Sequence, residues 1–225
     1  MPRPFLAPLA PVLVLAAVVG ILAAAPSSGA ELNRVAPAPA LVVANAAPRE
    51  VAYFAGGCFW GVEGVFDHVR GVASAVSGYA GGRTARPTYA MVSTGTTGHA
   101  ETVRVTFDPR IVSYDQLLRV YYSVVTDPTQ VDRQGPDHGT QYRGALFPTT
   151  MAQARQARAY IAQLSAAHVF ARPIVTRVEP FTDFTPAEAD HQDFMAHNPM
   201  NPYILANDRP KLSALRRLFP ALSRG

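Results

Sequence analysis

One cysteine, Cys58, in a chain of 225 residues leaves no partner for an intramolecular disulfide, so the fold of this sequence must stand without a covalent cross-link within the chain. At 48% hydrophobic residues the chain is long enough for one core and short for two full domains. Its first 49 residues are expected to lie outside that core. Arg3 precedes an uncharged stretch with the apolar run VLVLAAVVGILAAA, Val12 to Ala25, followed by Pro26, Ser27, Ser28, Gly29 and Ala30. This is the pattern of a secretory signal over residues 1–30, with cleavage expected after Ala30. A membrane-anchored form is the alternative: the run is shorter than the roughly 20 residues that span a bilayer, though Leu6 to Ala10 could extend it across Pro11. Residues 31–49 are rich in alanine and proline without periodicity, the composition of a disordered spacer, and the folded domain is expected over 50–225.

Export would place the mature chain in the periplasm or elsewhere outside the cytoplasm, and no stable membrane insertion is expected once the signal is removed. Disulfides are common there, so a lone thiol is either a small buried apolar group or a reactive one. Removing residues 1–30 leaves 19 Lys+Arg against 16 Asp+Glu, a net charge of +3, too mild to point to nucleic acid. Lys211 is the sole lysine, and the arginines are scattered rather than clustered.

The elements follow from period and punctuation. VAYFAGG, near Glu50, is a short apolar strand ending in glycines, and a helix is expected from Phe59 to His68, which puts Cys58 at a helix N-terminus. Residues 72–78 and 101–107 read as strands; in the second, Val103, Val105 and Phe107 alternate with Thr102, Arg104 and Thr106. Three helices are announced by a hydroxyl residue followed three positions later by Glu or Gln: Ser113 with Gln116, Thr150 with Gln153, and Thr185 with Glu188, the last with Pro186 at the first helical position. Residues 141–147 and 174–179 read as further short strands. The elements mix without steady alternation, so the expected class is α+β: a two-layer sandwich with a ferredoxin-like mixed sheet and helices packed on it.

Ten of the sixteen glycines fall between Gly56 and Gly98. GYAGG, residues 78–82, lacks both the GxGxxG spacing and a following Lys-Ser/Thr, so it is not read as a nucleotide loop. The glycine pair before Cys58 is more informative. Gly56 and Gly57 remove bulk beside the sulfur, and the unpaired N–H groups and dipole of a helix start favour a thiolate. Phe59 and Trp60 serve either as core anchors or as flat apolar walls beside a nucleophile.

GCFWGVE (57–63), GYAGG (78–82), PTY (87–89), TGHAETVRVTFDP (97–109), DPTQVDRQGPDHGTQYR (127–143) and PAEADHQDF (186–194) stand in the order and spacing of the A-type peptide methionine sulfoxide reductases, which this chain resembles from about Val51 to Asn198. The resemblance implies that Cys58 is the nucleophile that attacks the sulfoxide sulfur and becomes a sulfenic acid. It implies that Glu101 is the acid that protonates the sulfoxide oxygen, and that Tyr89 and Tyr142 hold that oxygen. By the same resemblance Asp137 is expected to orient the site and bind the substrate backbone, and Phe59 and Trp60 to surround the S-methyl group. The substrate implied is the S epimer of methionine sulfoxide, free or in proteins, with repair of oxidised protein as the role.

No cofactor or metal is implied. Many family members carry resolving cysteines near the C-terminus; here no second cysteine exists, so an external thiol reductant, a thioredoxin-like protein, a glutaredoxin or a small thiol, must reduce Cys58 directly. A monomer is expected. The chain departs from the family at Thr126, where a histidine is expected before Asp127-Pro128, and at Asp132, where an asparagine is expected, so a further negative charge is expected near the site. Two rivals remain. A thiol hydrolase or transferase would need a histidine to activate Cys58, with His99, His138 and His191 as candidates. A metal site at Asp190, His191, Asp193 and His197 is disfavoured because the histidines are not spaced to share a helical face.

Overall fold

The computed structural model describes residues 34–224 and Met1; the apolar run and the cleavage site expected after Ala30 lie outside the described residues. Among the described residues no helix is long and apolar enough to cross a membrane. The described residues hold eight strands, β1 (Glu50–Gly56), β2 (Val72–Ala80), β3 (Ala100–Phe107), β4 (Arg133–Gln134), β5 (Asp137–His138), β6 (Gly144–Phe147), β7 (Arg177–Val178) and β8 (Phe184–Pro186), interspersed with helices α1 (Phe59–Asp67), α2 (Tyr89–Val92), α3 (Tyr114–Val120), α4 (Met151–Ala166), α5 (Phe194–His197) and α6 (Arg209–Leu218). Six strands form one sheet in the order β7-β6-β1-β3-β2-β8, antiparallel except where β6 meets β7, and β4 and β5 make a separate hairpin.

The heart of this sheet is the expected ferredoxin-like unit. β1, α1, β2, β3, α3 and β6 follow in sequence, and their strands lie side by side as β6-β1-β3-β2. Alternation decides the faces. Val103, Val105 and Phe107 of β3 are fully buried with Phe54 of β1, Val62, Val65 and Phe66 of α1, and Leu117 and Leu118 of α3. The opposite face carries a thinner cluster of Ala55, Ala80, Ala100, Ala145 and Phe147, covered by Tyr53 stacked on Phe181 at 4.3 Å. Truncating a ring such as Phe54 would cost about 3–5 kcal/mol, a large part of a typical domain's stability.

Gln116 Oε1 accepts the Ser113 N–H at 2.9 Å, and Thr150 Oγ1 accepts the Gln153 N–H at 3.1 Å, so both helix starts form as expected. The third does not. Thr185 lies in β8 opposite Tyr79 of β2, and only a 3-10 turn (Ala189–His191) and the short α5 follow it. The edge of β2 offers a full set of strand bonds, which outcompetes a one-bond cap. The strand expected over 141–147 begins instead with a 3-10 turn (Thr140–Tyr142), and that over 174–179 shrinks to β7. Residues 34–49, expected as a disordered spacer, hold no helix or strand but are laid against α3, α4 and the π-helical turn Tyr121–Val125. Side chains supply the bonds their backbone lacks: Ser123 Oγ accepts the Ala36 N–H at 2.9 Å, Arg119 donates to Ala36 O at 2.8 Å, and Tyr160 donates to Pro37 O at 2.7 Å.

Candidate active site

The crossing from β1 to α1 fixes Cys58. Gly57 has φ +97, a conformation side chains avoid, and a Cβ there would stand 2.6 Å from the Gln134 side chain. A glycine is required twice over, so the turn delivers Cys58 to the N-cap of α1. The sulfur residue is 8% exposed and unpaired. The first free N–H of the helix, that of Phe59, donates to Glu101 Oε2 at 3.0 Å. Glu101 projects from β3 opposite Tyr79 and is 2% exposed. Nucleophile and acid are therefore tied to the same helix turn.

Burial, reinforced by Asp137 and Asp208, pushes the Glu101 carboxyl up to about 8 against the Phe59 N–H bond. At neutral pH it holds a proton, as an acid must. Cys58 departs from the sequence expectation. Its thiol is pushed well above its ordinary range by burial first, then by Glu101 and Asp208, while the Trp60 N–H and Lys211 pull the other way. The helix-start effect exists, but desolvation of a nearly enclosed sulfur outweighs it, so the resting group is a thiol.

Trp60 forms the half-exposed wall. Its ring stacks on Phe194 at 3.8 Å and meets Tyr203 edge-on at 5.9 Å, and its Nε1–H donates to His191 Nδ1 at 3.1 Å. Phe59, by contrast, is wholly buried, 5.3 Å from His191 and 5.9 Å from Tyr79, so it supports the site from beneath. Tyr89 rests on His191 at 4.3 Å, and its N–H donates to Glu188 Oε1 at 2.8 Å, while Glu188 Oε2 accepts the Tyr79 hydroxyl at 2.9 Å. Burial raises both Tyr89 and Tyr142, and both feel the charges of Glu101, Asp137 and Cys58, so their hydroxyls stay protonated donors grouped with the pair. Asp137, in the β4–β5 hairpin, accepts the Tyr203 hydroxyl. All seven residues read from the sequence thus converge on one site.

Sequence reasoning passed over His191 as a wall, and over Glu188, Phe194, Tyr203, Asp208 and Lys211. Of these, Glu188, His191 and Phe194 lie inside the PAEADHQDF block and carried a signal. At the departures, Thr126 Oγ1 donates to Gln134 Oε1 at 2.7 Å, which pins the side chain that covers Gly57. Asp132, at φ +45, is paired with Arg177 at 3.4 Å, so its charge is compensated rather than bare. The groups whose charge bears most on Cys58 are Glu101, Asp208 and Lys211, none a histidine, which disfavours a Cys–His hydrolase. Among the described residues no group of His, Cys, Asp and Glu could hold a metal.

The family model described as peptide methionine sulfoxide reductase matches residues 50–221. Peptide methionine sulfoxide reductase MsrA 2 of Mesorhizobium japonicum is 55% identical over 179 residues, 79% of this chain and 92% of that protein. Peptide methionine sulfoxide reductase MsrA of Deinococcus radiodurans is 49% identical over 173 residues, 77% of this chain and 84% of that one. Among solved structures, methionine sulfoxide reductase A of Corynebacterium diphtheriae superposes with TM-score 0.60 at 34% identity, covering 74% of this chain and 84% of its own. Reduced Mxr1 of Saccharomyces cerevisiae superposes with TM-score 0.63 at 28% identity, covering 72% and 92%. With a buried cysteine, a protonated carboxyl on the same helix turn and two tyrosine hydroxyls grouped with them, the chain belongs to the peptide methionine sulfoxide reductase family and is an enzyme of that activity.

Proposed function

We propose that Cys58 and Glu101 carry the reduction as a coupled pair. The observation that supports this most is the Phe59 N–H bond to Glu101 Oε2, which sets the carboxyl beside the only sulfur nucleophile in the chain. Glu101 gives its proton to the sulfoxide oxygen, whose bond to sulfur breaks poorly until it is protonated, and Tyr89 and Tyr142 donate to the same oxygen. The Cys58 sulfur attacks the substrate sulfur, the oxygen passes to Cys58, and the thiol proton restores Glu101. The balance is one thiol and one sulfoxide in, one sulfenic acid and one methionine out.

Trp60, walled by Phe194 and Tyr203, takes the S-methyl group, and Asp137 orients the site and takes the substrate backbone. The S epimer is the favoured substrate. Two external thiols then return Cys58–SOH to Cys58–SH, leaving a disulfide between them and one water; their source is a thioredoxin-like protein, a glutaredoxin or a small thiol. The apolar run at Val12 to Ala25 supports an exported, periplasmic or extracytoplasmic enzyme, and the chain acts as a monomer. Reduced protein given each pure epimer in turn tests the reading: methionine should form from S and not R. Turnover retained by Cys58→Ser, or preference for R, would contradict it.

A further inference from the structure

The only lysine of the chain is buried behind the catalytic helix turn. Nineteen arginines supply the other basic side chains, yet position 211, on α6, holds an ammonium that is 8% exposed and 3.3 Å from a wholly buried Asp208. Both press on α1 at Gly61, three residues past Cys58, where a Cβ would overlap Asp208 Oδ1 and lie 3.1 Å from Lys211 Nζ. An ammonium is a compact point charge on a flexible stem, unlike the planar guanidinium fork carried by the chain's other cationic side chains. The second oxygen of Asp208 is buried with no hydrogen-bond partner. A buried pair left partly unsatisfied is a poor way to gain stability, so another use should be sought for it.

We propose that Lys211, held by Asp208 behind the first turn of α1, is a positioning residue for Cys58: its buried positive charge stabilises the sulfur's negative charge as the thiol surrenders its proton. The other groups that bear on the sulfur are acids or phenols: Glu101 on β3, Tyr89 on α2, Tyr142, and Tyr203 just before the π-helical turn Ile204–Asp208, with Asp137 on β5 bearing in turn on Glu101 and on all three tyrosines. Lys211 bears on Cys58 in the opposite sense to Asp208 and Glu101. The pair is thus electrically sided, and its two members must have opposite effects.

That opposition is the test. Full-length reduced protein is alkylated with iodoacetamide at fixed pH between about 7 and 9, and intact mass reports a single site because Cys58 is the only cysteine. Below the thiol's midpoint the rate follows the thiolate fraction, so moving that midpoint by about one pH unit changes the rate about tenfold. Lys211→Met should slow alkylation about 3–10-fold and Asp208→Asn should speed it about as much. Equal rates, or both variants moving the same way, would overturn the proposal, since a structural role moves both alike. If Lys211→Met fails to fold by circular dichroism, Asp208→Asn is compared with the double variant. The single should alkylate faster, and equal rates would overturn the proposal. The inference rests on Cys58 as the nucleophile; alkylation needs no sulfoxide, so it can fail while the reductase reading stands, and the reverse.

Discussion

The N-terminus of α4 and the segment from Thr185 to His191 begin with the same local pattern, a threonine followed three residues later by Gln or Glu, and they fold differently. At Thr150 the hydroxyl accepts the Gln153 N–H, and a sixteen-residue helix follows. At Thr185 the backbone joins the edge of β2, and Glu188 turns to Tyr79 and to the Tyr89 N–H. One pattern stabilises a helix, the other assembles a catalytic wall. Local rules hold where only the scaffold is at stake and give way where the site needs the residue.

Predictions follow that divide. The largest effect belongs to the site: Glu101→Gln should lower turnover about 10²–10⁴-fold in a stopped assay of methionine released, with the fold kept. Its pH dependence sharpens the point. The acid form is lost as pH rises through about 8, so wild-type turnover should fall above that value and the Gln variant should show no such limb. Wild-type stability should fall with pH too, over a lower range. A carboxyl raised from 4.5 to about 8 contributes fully below 4.5 and loses that contribution as pH rises toward 8, so Glu101→Gln should melt above wild type at pH 9 and level with it at pH 4. A single wild-type optimum above pH 9 would break the assignment.

Glu188→Ala comes next. Leaving the Tyr89 N–H and the Tyr79 hydroxyl without their acceptor should cost about 1–3 kcal/mol of stability and lower turnover about tenfold. Turnover intact per folded molecule would make Glu188 scaffold and collapse the comparison. Smallest is Thr150→Ala, expected to cost about 1 kcal/mol, a drop of about 2–4 °C in Tm by calorimetry, with turnover per folded molecule unchanged.

How far the sequence could be read follows the same line. The strand-helix-strand-strand run from Glu50 to Phe107 was legible because a period of two and a glycine-ended turn are local facts, and both put Cys58 at the start of α1. β8, three residues long, was not, because it exists only through its neighbour, and β7 keeps only two residues of the strand expected over 174–179. The seven site residues came from motif register. Their partners Tyr203, Asp208 and Lys211 arrive from the C-terminal segment by tertiary folding that no local pattern announces. The protonation state of Cys58 escapes the sequence for a related reason: the helix start is local, whereas the burial that opposes it is assembled from the whole core.

The central claim is that one cysteine performs the whole chemical step and then stops. Reduced protein should be mixed with excess S-methionine sulfoxide and no thiol, with methionine counted and Cys58 examined by peptide mass. One methionine per chain and one oxygen added at Cys58, with a second turnover only after thiol is supplied, is the expected result. Continued turnover without thiol, or methionine formed with Cys58 unchanged, would contradict it.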